Sequence, residues 1–255
     1  MTEFDAVLSG FATLDEEALG RPWPFRGQPM DVRYALYRTI EDAQEAHVRV
    51  AARPLPESRR ILSLAQRAFG DLRGLLVGLP TDLTDRAPRA GDWPVREVLR
   101  HMWVVERRYA LQTFYALERA DTDPVRIADD QLPTPAEMDV TGGIGEVLAR
   151  LGDARAESNR RLGDVAPALM TRPTIWARYD VDVRFRLHRF AAHVVEHAIH
   201  CEKTLAALDW RPTEGRRIVR QLAALVGEIE GLGALDEARE IERRLADRRA
   251  SVIGA

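Results

Sequence analysis

Residues 184–208 read RFRLHRFAAHVVEHAIHCEKTLAAL, and they hold His193, His197 and His200, half of the chain's six histidines. Apolar residues recur at Leu187, Phe190, Val194, Ala198, Cys201, Leu205 and Leu208. Steps of three and four put them along one face of a helix. Each helical residue advances about 100°, so the histidines at i, i+4 and i+7 run along the shoulder of that buried face. A second segment, Gly91–Tyr109 (GDWPVREVLRHMWVVERRY), carries His101 three residues after Val98 and one before Met102. That is the same shoulder position on another helix. Two such shoulders on neighbouring helices enclose a pocket at the edge of a bundle. A stripe of imidazoles completed from a second helix is how helical bundles build metal sites.

Working outward, the periodicity stays helical. Helices are expected over Asp31 to Val50 with Asp31 as N-cap, from Glu57 to about Gly78, and from a cap at Asp92 to about Arg119. In the third of these Trp93 and Pro94 would occupy the first turn. Ile144–Leu162 and Asp182 to about Leu208 follow, then two more helices around the Gly-Leu-Gly at 231–233. Residues 120–142 and 163–181 read as long connections, the first with three prolines. No sustained two-residue alternation marks a strand. Residues 1–30 are mixed, and the Pro/Gly-rich stretch RPWPFRGQP at 21–29 reads as an ordered loop or arm. The segments divide into an N-terminal extension (1–56), a core bundle (57–210) and a C-terminal helical extension (211–255).

The histidines need weighing one by one. An HxxxH pair on a helix is more often two solvent-facing rings than a metal site. His200 extends the stripe by one turn and reads as a ligand, an outer residue or a substrate contact. His188 is out of phase and is expected to be exposed, and His47 has no partner in sequence. Glu97, Glu106 and Glu196 lie near the histidines and are candidates to orient an imidazole by accepting its outer N–H. Neutral imidazoles with an open coordination position suit zinc, nickel, iron or manganese. Trp93, Trp103 and Trp176 are candidate pocket walls, and Arg178 and Tyr179 candidate contacts to a carboxylate. Cys201 falls on the core stripe and reads as a small buried hydrophobe.

Composition narrows the function classes. Of 255 residues, 45% are apolar and 30% charged, as in ordinary globular proteins. A net charge of −3 gives no electrostatic case for nucleic-acid or membrane-surface binding. The single cysteine cannot form an internal disulfide, and no apolar run approaches a membrane span. The acidic N-terminus lacks a signal-peptide core, so the expected compartment is the cytoplasm.

The two histidine segments resemble the DinB-like superfamily. Trp93–Glu106 matches its tryptophan-proline-valine-arginine stretch followed by histidine, and residues 193–205 match its H-x-x-x-H pair with a trailing E-K-T-L. The resemblance spans roughly residues 57–210. It implies an all-α fold, an up-down-down-up four-helix bundle to which the flanking helices are added. It further implies a divalent transition metal, zinc or nickel foremost, held by His101, His193 and His197. Relatives include transferases and isomerases that use a low-molecular-weight thiol such as mycothiol. The expectation is therefore a metal-dependent enzyme, a thiol transferase or hydrolase acting on a small molecule, as a monomer or homodimer. The competing expectation is a non-catalytic metal-binding or stress-related interaction bundle, closed by His200 as a fourth ligand.

Overall fold

The computed structural model describes residues 2–253. In chain order the elements are α1 (Glu3–Ala12), α2 (Glu16–Leu19), α3 (Val32–Ala51), α4 (Glu57–Leu76), α5 (Thr81–Asp85), α6 (Val95–Glu118) and α7 (Ile144–Leu162). Strands β1 (Pro173–Trp176) and β2 (Tyr179–Asp182) follow, then α8 (Val183–Ala207), α9 (Glu214–Gly231) and α10 (Leu235–Ile253). Asp31, Asp182 and Thr213 cap α3, α8 and α9, their side chains accepting from the backbone N–H of Tyr34, Phe185 and Arg216. The start of α6 differs from expectation. Asp92 is not its cap; Pro94 is, and the helix begins at Val95. A proline there sacrifices no hydrogen bond, because the first helical N–H groups have no intrahelical acceptor.

Contacts between the four long helices fix their directions. Glu57 meets Arg184, and Leu64, Ala68 and Asp71 share a groove with Ala191, Ala198 and Glu202, so α4 and α8 run parallel. Ser58 meets Gly163 and Gln66 meets Asn159, so α7 runs antiparallel to α4. Tyr109 packs on Phe190 and Thr113 accepts from Arg186, so α6 is antiparallel to α8. Glu106 binds Arg155, and Phe114 stacks under Arg161, so α6 and α7 are parallel. The all-α bundle is therefore up-down-down-up in the order α4, α6, α7, α8. Two consecutive parallel helices require a connection that travels the length of the bundle. The chain between Arg119 and Gly143 makes that crossing.

The flanking helices build an apolar core of their own. Phe4, Leu8 and Phe11 of α1 pack with Leu36 and Ala43 of α3, Val219 and Leu222 of α9, and Ile241 and Leu245 of α10. This layer meets the bundle where α9 lies against α4, and glycines set the spacing. A Cβ at Gly70 would come within 2.1 Å of the Ala223 carbonyl oxygen, and one at Gly227 within 2.5 Å of the Gln66 carbonyl oxygen. Arg216 of α9 donates to the carbonyls of Leu75 and Val77 at 2.9 and 2.7 Å, satisfying the open end of α4. Among the described residues no helix is long and apolar enough to cross a membrane.

Two elements go beyond the sequence reading. Residues 3–12, in the stretch the sequence reads as mixed, form α1, with a capping box between Thr2 and Asp5 and with Phe4, Val7, Leu8 and Phe11 buried. The connection at 163–181 contains an antiparallel hairpin, Thr174 opposite Val181 and Trp176 opposite Tyr179. Its turn carries Ala177 in a left-handed conformation (φ 54°), where the usual turn signal would be glycine or asparagine. That residue choice hides the hairpin from a reading based on turn chemistry.

The α4–α9 seam makes a prediction. Gly70→Ala should lower stability by about 1–3 kcal/mol, the usual cost of overpacking, read as a shift in the denaturant midpoint. An unchanged midpoint would mean that the helices separate freely. A second prediction concerns Glu242 of α10, which lines a cleft of about 640 Å³ with Glu230. Burial, aided by the Glu230 charge, pushes its carboxyl up to about 7. The folded value lies above the unfolded one, so stability present in acid is lost as pH rises through 7. Glu242→Gln should therefore stabilise the fold by about 1–2 kcal/mol at pH 8 and hardly at all at pH 5. Equal effects at both values would contradict this.

Candidate metal centre

The antiparallel pairing of α6 and α8 sets His101, near the start of one, against the middle of the other. There it meets His193 and His197, one turn apart. The ring centres of His101 lie 5.3 Å from His193 and 4.7 Å from His197, and those two are 4.4 Å apart. One ring nitrogen from each of the three falls within 4.8 Å of the others. Nε2 of His101 and Nε2 of His193 are 3.3 Å apart. Two imidazoles sharing a tetrahedral ion at about 2.0–2.1 Å would be separated by about 3.3 Å.

Electrostatics favour the ligating form of these rings. Burial is the first cause, and it drives His193 down to about 3 and His197 down to about 4; neighbouring imidazoles add to the depression, and Glu196 opposes it at His197. Burial lowers His101 as well, against an opposing pull from Glu196. All three are thus neutral at pH 7, with lone pairs free for a cation. Nδ1 of His197 is sealed from solvent without a hydrogen-bond partner among the described residues. A buried polar atom without a partner is costly. Three uncharged imidazoles with an unsatisfied nitrogen among them have the donor chemistry of a transition-metal site.

The other candidates fall into place around this trio. His200 is half-buried, its ring centre 6.0 Å from His197 and stacked on Trp93 at 6.3 Å. It stands beside the cluster and is not one of its three members. Trp93, 45% exposed, also covers His101 at 5.3 Å, so it forms the outer rim. Glu196 is exposed and acts on His101 and His197 through its charge. Glu97 pairs with Arg100 at 3.0 Å rather than with a histidine.

Glu106 is a clear correction. It is buried in the bundle, accepting from Arg155 Nη1 at 2.8 Å and Ser158 Oγ at 2.5 Å. It contacts no imidazole nitrogen among its hydrogen bonds. Burial pushes its carboxyl upward while Arg155 and Ser158 pull the other way. Arg155 passes the connection on through Asn159 and Gln66 to Glu230 of α9. This polar chain crosses from the bundle interior to the flanking layer.

The aromatic candidates divide. Trp176, on the hairpin, donates from Nε1 to the Tyr109 hydroxyl at 3.3 Å, and the Tyr109 ring lies 5.6 Å from His193. Trp103 faces away, lining a groove between α6 and α7 with Phe114. Arg178 is exposed at the hairpin turn, and Tyr179 stacks on Trp176 from the outside. Sequence reasoning assigned Tyr109 no role at the site, although it sits two turns beyond His101 on the same helix. Cys201 is fully buried with its thiol pushed up to about 12, in keeping with a packing role. His188 is exposed, and His47 of α3 faces Glu228 of α9 at 3.2 Å.

The family model described as the DinB superfamily matches residues 64–201, just over half of the chain and all three clustered histidines. No curated protein matches the chain.

The lowered histidine values carry a prediction for the metal-free protein. The native rings stay neutral while the unfolded rings take up protons below about 6.5. Stability is therefore fully present above that value and falls as pH drops toward 4, by up to about 1.4 kcal/mol per pH unit per histidine. Chemical denaturation from pH 7 to 4 should show this slope flattened in the double variant His193→Leu/His197→Leu. Identical slopes would mean that the rings are not desolvated.

Proposed function

The chain belongs to the DinB superfamily, and from that premise we propose that it is a divalent-metal-dependent enzyme acting on a small molecule. The observation that carries the reading is the convergence of His101, His193 and His197, neutral and within ligand distance of one another. These three residues would hold the ion, with zinc and nickel the favoured occupants of an all-imidazole set. Bound there, the ion would lower the pKa of a thiol or water and so supply a nucleophile at neutral pH. Thiol transfer from a low-molecular-weight thiol is the finer form of this proposal.

The protein's own groups have defined tasks. Burial keeps the three rings unprotonated. The Tyr109 ring, held through its hydroxyl by the Trp176 indole, packs edge-on against His193. Trp93 shields one side of His101 from water while leaving the rim open to a ligand. The grouping of three donors, with His200 set apart, supports an open coordination position rather than a closed structural site.

Protein purified without chelator should carry close to one equivalent of a transition metal by elemental analysis. His101→Ala, His193→Ala and His197→Ala should each lower the content at least tenfold, and His47→Ala and His188→Ala should leave it unchanged. Full occupancy in the double variant His193→Ala/His197→Ala would overturn the assignment.

A further inference from the structure

The walls of the histidine cluster carry positive charge that the protein leaves unpaired. Many guanidiniums of this chain pair with carboxylates, as in Arg73 with Asp5, Arg96 with Asp85 and Arg184 with Glu57. Arg189 does not. It precedes His193 by four residues on α8, so both side chains share one face a turn apart. Its guanidinium lies 4.6 Å over the Trp176 ring, and its Nε is sealed from solvent with no partner. No carboxylate lies within ion-pair distance of it among the described residues. Stacking on an indole holds a guanidinium in place without neutralising it.

The position is built from both sides. Trp176 is fixed by its hydrogen bond to Tyr109, and Tyr109 packs against His193, so Arg189, Trp176, Tyr109 and His193 form a continuous wall. Two further guanidiniums lie on the same side without carboxylates. Arg186 is buried and donates to Thr113 Oγ1 and the Ile175 carbonyl. Arg108 donates from Nε to the Pro133 carbonyl at 2.6 Å. The charges of Arg189 and Arg108 reach the imidazoles, lowering His193 and His101 respectively. The exposed carboxylate of Glu196 opposes them at His101 and His197.

The geometry points to a carboxylate-bearing ligand at the histidine cluster, its carboxylate received by the Arg189 guanidinium against the Trp176 face. A guanidinium presents parallel donors that match a carboxylate, and an aromatic platform restricts its orientation in advance. This inference rests on the reading of the triad as the reaction site, and it names the class of molecule bound there. Arg189 is the group that touches the ligand, while Tyr109 and Trp176 position it. The carboxylate belongs to the thiol or to the second substrate, and the test separates the two.

Nitrogen-15 NMR on metal-free protein isolates the guanidinium from the metal. Benzoate should shift the Trp176 indole and Arg189 side-chain signals with saturation in the millimolar range, and uncharged benzamide should not. Arg189→Gln should weaken benzoate at least tenfold, Arg189→Lys should retain part of the binding, and zinc uptake should be equal in all three proteins. Equal responses to benzoate and benzamide, or undiminished benzoate binding in a folded Arg189→Gln, would overturn the inference. Should the glutamine variant not fold, the benzoate–benzamide comparison and the lysine variant decide. Failure of zinc uptake would count against the metal reading alone, since the carboxylate is tested without it. On zinc-loaded protein, a tenfold preference for 3-mercaptopropionate over 2-mercaptoethanol, lost in Arg189→Gln, places the carboxylate on the thiol. Equal binding of the two thiols with benzoate accommodated alongside places it on the second substrate.

Discussion

Three imidazoles converge where burial weakens their hold on a proton, and the arrangement of the bundle follows from bringing them there. His193 and His197 are one turn apart on α8 and need a third nitrogen from outside that helix. Only an antiparallel α6 sets His101 opposite them while also packing Tyr109 on Phe190 and Thr113 on Arg186. Burial that would be a penalty for a charged histidine is a benefit for a ligand, because it removes proton competition at neutral pH. The desolvation expected to cost the metal-free protein stability in acid is the same effect that would ready the site for a cation.

Rigidity behind the site comes from a second buried polar feature. Arg155, fully buried, binds Glu106 one turn beyond Met102 on α6 and continues through Asn159 and Gln66 to Glu230. A buried ion pair seldom adds net stability, but breaking one partner is costly, so it fixes a single register between helices. Here it ties α6 to α7 and, through α4, to the flanking layer. The glycine seam of α4 and α9 serves the same end by another means, replacing side-chain contact with backbone approach. The N- and C-terminal helices are therefore structural continuations of the bundle, with a core of their own.

Much of this was legible in the sequence because helical periodicity is a strong signal. The stripes through Leu187–Leu208 and Ile144–Leu162 locate α8 and α7 closely, and the position of His101 beside Val98 and Met102 places it on the same kind of shoulder as His193. The bundle order followed from the resemblance, since direction cannot be read from periodicity. What stayed hidden has specific causes. The hairpin turns on alanine and arginine, α1 is disguised by an acidic start, and Glu106 looks like an orienting carboxylate until Arg155 is found beside it. Arg189 is one arginine among many in sequence. Its distinction, an unpaired guanidinium stacked on Trp176 one turn from His193, exists only in three dimensions.

The central claim is that one ion sits among three imidazoles with a coordination position left open. Diffraction at the absorption edge of the metal found by elemental analysis tests this most directly. The account predicts a single anomalous peak bonded to one ring nitrogen each of His101, His193 and His197, with a non-protein atom completing the sphere. A peak placed elsewhere, or one with His200 as a fourth protein ligand, would contradict it.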